Sequence, residues 1–75
     1  MGKLAVEADI VFGERVSMAL FKNKKSRRWL IDELEPFGVK FTDTKLSNRI
    51  NGVNDFSGEE MTAIEELFKK FNIAF

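Results

Sequence analysis

Thr44, Lys45 and Asn48 are the side chains of this sequence best suited to reading a fixed pattern of donors and acceptors. An asparagine amide can make a paired hydrogen bond to adenine, a threonine can meet a thymine methyl or an acceptor, and a lysine can reach guanine or a phosphate. Their spacing gathers them on one flank. At about 100° per residue, Leu46 and Ile50 fix the inward side of a helix over residues 43–51, and the three polar residues fall opposite. Asp43 joins them on the exposed first turn, where a carboxylate suits the helix dipole.

Other chemistries are excluded early. The 75 residues contain neither cysteine nor histidine, which removes the usual zinc sets and both Ser-His-Asp and Cys-His catalysis. No nucleophile is placed beside a base, and no glycine loop could cradle a phosphate. The chain is therefore read as no enzyme, with no cofactor and no small-molecule substrate. Residues 51–60 have the Asn/Asp/Gly look of a calcium loop, but counted from Asn51, Phe56 and Thr62 stand where such a loop needs glycine and glutamate. No metal is expected. No apolar run approaches the ~20 residues of a membrane span, and Glu7 and Asp9 interrupt the stretch a signal peptide would need. The expected setting is cytoplasmic, away from membranes.

Twelve basic and twelve acidic residues cancel, yet they are not mixed. Lys22, Lys24, Lys25, Arg27 and Arg28 form a purely basic cluster, with Lys40, Lys45 and Arg49 downstream. The acids gather at Glu7, Asp9 and Glu14 and again at Glu59, Glu60, Glu65 and Glu66. Charge alone leaves the cluster with two readings, a solvated loop or a strip that neutralises phosphates.

The elements that must carry these residues are helical throughout. A first helix is expected over residues 4–21, with Val6, Ile10, Val16 (or Phe12), Ala19 and Leu20 on one face. Gly13 costs its middle about 1 kcal/mol relative to alanine and leaves two forms open, continuous or broken. Ser26 is the N-cap of a second helix holding Trp29, Leu30, Ile31 and Leu34. Pro36 ends that helix, and Gly38 supplies a left-handed turn. Thr42 caps the third helix, and Asn51-Gly52 closes it. Ser57 and Glu60 fit a capping box opening a last helix with Met61, Ile64, Leu67, Phe68 and Phe71 as its apolar stripe. Trp29 is expected in the core. Phe71, Ile73, Ala74 and Phe75 either form a dimer contact or fold back onto the first helix. The sum is one all-α domain over residues 1–75, a compact orthogonal bundle of four or five helices.

Residues 42–52, Thr-Asp-Thr-Lys-Leu-Ser-Asn-Arg-Ile-Asn-Gly, resemble the recognition helix of lambda-repressor-like (Cro-type) DNA-binding regulators. Asp55-Phe56-Ser57 and the following amphipathic helix fit the same pattern, and the likeness covers roughly residues 14–72. It implies a helix-turn-helix and a sequence-specific regulator of transcription, a phage or bacterial repressor. Such a regulator binds double-stranded DNA as a homodimer, with residues 43–51 in the major groove. By position in that pattern Asp43, Thr44 and Asn48 face bases, joined by Lys45 from the same flank. Ser26, Arg27 and Arg28 at the start of the second helix, and Asn51, Gly52 and Asn54 after the third, touch phosphate. Lys22, Lys24, Lys25 and Arg49 are added to the phosphate set by charge. Two features depart from the family: Val39-Lys40-Phe41 lengthen the turn, and bulky Leu34 stands where the helix crossing usually has a small residue. Net neutrality and the acidic last helix suit an alternative, a protein-interaction module on the same scaffold that binds no DNA.

Overall fold

The structure, a computed structural model, describes the backbone of residues 2–75 and the side chains of residues 12–75. Among them it places four α-helices and no strand: α1 (Gly2–Lys22), α2 (Arg27–Leu34), α3 (Asp43–Ile50) and α4 (Gly58–Lys70), with a 3₁₀ turn at Glu35–Phe37. The starts of α2, α3 and α4 are set by hydroxyl caps. Ser26 accepts from the Trp29 amide, Thr42 from the Lys45 amide and Ser57 from the Glu60 amide. Each satisfies a donor that a helix N-terminus leaves unpaired. At Ser57 the box is reciprocal, because the Glu60 carboxylate accepts from the Ser57 amide at 2.9 Å.

The helix ends follow equally local causes. Pro36 tightens the chain after Leu34 into the 3₁₀ turn, and Gly38 (φ 84°) reverses it, donating its amide to the Glu35 carbonyl. At the end of α3 only Gly52 takes positive φ (84°), whereas Asn51 stays at φ −84°.

The core is one cluster. Val16 and Leu20 of α1, Leu30 and Leu34 of α2, Leu46 of α3 and Ile64, Leu67 and Phe68 of α4 all lie at or below 5% exposure. Burying each such side chain stabilises the fold by about 1.5–3 kcal/mol. Val6 and Ile10 lie outside the residues whose side chains are described. The lengthened turn has a structural use, since it delivers Phe41 into the core and edge-on to Phe56 of the α3–α4 loop (6.3 Å).

α1 runs unbroken through Gly13. A Cβ at residue 13 would stand 2.6 Å from the Ile50 carbonyl oxygen, so the absent side chain is what lets α1 approach the end of α3. Leu34 of α2, bulky as it is, is fully buried in the core. The C-terminal residues fold back: Ile73 is buried, and the Phe75 ring meets Phe12 at 5.3 Å and Phe68 at 5.1 Å. Trp29 is half-buried against the core, its ring edge-to-face with Phe71 at 5.4 Å.

Candidate nucleic-acid interface

α3 stands with Leu46 fully buried and Ile50 packed half-buried on the core. That orientation leaves Asp43, Thr44 and Lys45 exposed at its N-terminal end. Asn48, on the same flank, is half-buried, and its carbonyl accepts from the Val53 and Asn54 amides at 2.9 and 3.3 Å. The loop after α3 thus curls back beside Asn48 and brings exposed Asn51 and Asn54 to the same edge. The Asn51 amide group donates to Ser47 Oγ at 3.3 Å.

The basic turn lies at the start of α2, and residues 22–28 are exposed throughout. α1 ends there in a wrapped turn: the Lys25 amide donates to the Leu20 carbonyl at 2.8 Å, and Lys24 sits at φ 56°. Glycine is the usual occupant of a left-handed helix end, and this chain keeps a lysine at that strained site. No carboxylate among the described residues lies within 4.0 Å of the ammonium groups of Lys22, Lys24 or Lys25. Arg28 pairs with Asp32 along α2 at 3.4 Å.

Arg27 joins the two halves of the surface. Its Nε donates to Asp43 Oδ1 at 3.1 Å and its Nη2 to Oδ2 at 3.3 Å, a fork across the first turns of α2 and α3. Two of the five guanidinium N–H groups are used, so three remain to meet an acceptor from outside. Asp43 is thus paired with Arg27, and the fork links the start of α2 to the turn of α3 that carries Thr44 and Lys45.

Arg49 is placed differently from the other cations. Its Nε donates to Glu60 Oε1 at 3.0 Å and its Nη2 to Oε2 at 3.4 Å, with side chains only 17% and 12% exposed. Burial pushes the Glu60 carboxyl up, but the hydrogen bonds from Arg49 and the Ser57 amide and the charges of Arg49 and Lys45 outweigh it. The carboxyl ends below its ordinary range. Arg49, grouped with the phosphate contacts by its charge, spends its guanidinium inside the corner between α3 and α4.

The structure joins the start of α2 to the start of α3 through Arg27 and Asp43, with exposed Lys22, Lys24, Lys25, Ser26 and Arg28 on the α2 side and exposed Thr44 and Lys45 on the α3 side. It sets Asn48, Asn51 and Asn54 along the other end of α3 and turns Arg49 away. Sequence reading overlooked both Arg forks, and the first had a signal: opposite charges at the first helical position of α2 and of α3. No family model matches the chain, and neither a curated protein nor a solved structure matches it.

Proposed function

We propose that this domain binds double-stranded DNA sequence-specifically and regulates transcription in the manner of a small repressor. α3 is its reading helix, and the α1–α2 turn is its phosphate clamp. One observation carries the reading: the polar flank of α3 at Thr44 and Lys45 faces outward beside an exposed basic turn, linked to it through the Arg27–Asp43 fork. Side chains that enter the major groove come from the N-terminal part of such a helix. Lysines that neutralise phosphates release counterions. Asp43, Thr44, Lys45 and Asn48 are assigned to base edges, and Lys22, Lys24, Lys25, Ser26, Arg27, Arg28, Asn51 and Asn54 to the backbone. One module spans a half-site, so a homodimer on a pseudo-palindrome accounts for useful affinity.

The second reading, an interaction module without DNA binding, draws on the exposed apolar side chains of α1, Phe21 (83%) and Met18 (53%). Selection of bound duplexes from a random pool separates the two. The DNA-binding reading expects a shared motif for the wild-type chain. Asn48→Ala should relax one position of that motif, and Lys25→Ala should weaken every sequence alike with a shallower salt dependence, by about 0.9 in the logarithmic slope. A pool that yields no motif, together with no duplex retention at low salt, leaves only the interaction module.

A further inference from the structure

The last turn of α4 is basic, and the fold carries it to the first turn of α2. Lys70 lies over the Phe71 ring at 5.7 Å from its centroid, Phe71 meets Trp29 edge-to-face at 5.4 Å, and Lys25 lies over the Trp29 ring at 5.1 Å. Two ammonium groups from distant parts of the chain are thus held on one pair of rings. The end of α4 does not fray there. Asn72 takes a left-handed turn (φ 58°), the Ile73 amide donates to the Phe68 carbonyl at 2.8 Å, and Ile73 is buried.

Lys70 has an acid one turn earlier, Glu66, at the spacing that favours a helix-surface ion pair. No carboxylate among the described residues comes within 4.0 Å of it. The aromatic ring orients its ammonium instead, and this leaves the charge facing solvent. The rings themselves are poor platforms for unpaired bases, because they are engaged with each other and lie under lysines. What remains is a pair of outward ammonium groups, one of them in the α1–α2 turn, suited to phosphates and not to stacked bases. The short ring-to-ring steps keep Lys25 and Lys70 within a few nucleotides of each other along a strand that rises about 3.4 Å per nucleotide.

We infer that Lys70 is a phosphate contact that extends the DNA interface beyond α2 and α3, with the Trp29–Phe71 pair as the strut that positions it. The inference rests on the duplex-binding reading above. Lys69 is its internal control: it has the same charge and sits in the same helical turn, but it lies on another flank, beside Arg15 and Phe75.

The test is the salt dependence of binding to a duplex long enough to pass beyond the half-site, measured for wild type, Lys70→Gln, Lys69→Gln and Lys70→Arg. Loss of one phosphate contact lowers the logarithmic salt slope by about 0.9 and weakens binding near 0.1 M salt by roughly eightfold. Lys70→Gln is expected to show this, Lys69→Gln to keep the wild-type slope, and Lys70→Arg to restore it. Equal effects of the two glutamine variants would mean that only overall charge matters, and no effect of Lys70→Gln would remove the contact; either overturns the inference while duplex binding stands. A wild-type chain that retains no duplex overturns the parent reading as well. Sedimentation with anionic phospholipid vesicles that depends on Lys70, with the DNA slope unchanged, would reassign the pair to a membrane surface.

Discussion

The two ends of α3 hold the same chemical pair, an arginine fork on a carboxylate, in opposite settings. At the N-terminal end Arg27 and Asp43 are 47% and 66% exposed; toward the C-terminal end Arg49 and Glu60 are 17% and 12% exposed. The first pair meets water and screening salt, where an ion pair contributes about 0–1 kcal/mol and exchanges partners readily. The second is largely withdrawn from water, and removing one partner strands a charge at a cost of several kcal/mol. The helix is thus anchored at one end and available at the other. The anchored end also holds the Gly13–Ile50 approach and the Ser57–Glu60 capping box.

The largest expected effect is at the anchor. Arg49→Ala should destabilise the domain by about 2–3 kcal/mol, reduced from the fully buried case because the site keeps some exposure, with urea unfolding as the readout. A loss below about 0.5 kcal/mol would make the two forks equivalent. Gly13→Ala follows. The added methyl group meets a backbone oxygen that cannot rotate away, so the helices must part, at about 1–2 kcal/mol net of alanine's better helix propensity. A gain in stability would show that α1 and α3 can separate without loss.

The Glu60 carboxyl sharpens the contrast through pH. Its folded value lies below the ordinary carboxylate value, so its contribution is complete above the unfolded pKa and is lost as pH falls through the folded one. Glu60→Gln should lower stability at neutral pH and flatten the acid limb of a stability–pH curve below about pH 5. An acid limb of unchanged steepness would remove Glu60 from that role. The smallest effect belongs to the free end: Asp43→Asn should change stability by less than about 0.5 kcal/mol. On the DNA-binding proposal the same change removes a carboxylate from the phosphate-facing surface, so retention on non-specific duplex should rise. A drop in retention would show that Asp43 serves by holding Arg27 in place.

Where a feature depends on neighbours in sequence, it was legible before the fold was known. Ser26, Thr42 and Ser57 cap helices because a hydroxyl reaches an amide three residues on, and Pro36 and Gly38 act through their own backbone. The apolar stripe of α4 needed only its spacing. The missed features are contacts between remote segments. Arg49 reaches Glu60 from eleven residues away, Arg27 reaches Asp43 from sixteen, and Arg15 donates to the Phe75 carbonyl from sixty. Gly13 read locally as a weakness of α1, because the Ile50 carbonyl that requires it belongs to another helix. The flank with Thr44 and Lys45 was legible because Leu46 and Ile50 declare the inward side. The curl of the following loop onto the Asn48 carbonyl was not, because it is set by backbone bonds beyond the helix.

Backbone and side-chain NMR of the labelled domain, titrated with a selected duplex, tests the contrast within α3 most directly. Shifts should concentrate at Lys25, Arg27, Thr44 and Lys45, with the Arg27 Nε resonance moving as its fork opens to DNA, while the Arg49 Nε resonance stays in place. Shifts centred on Arg49 and Glu60, with Thr44 and Lys45 unmoved, would contradict an α3 anchored at its far end and presented to DNA at its near one.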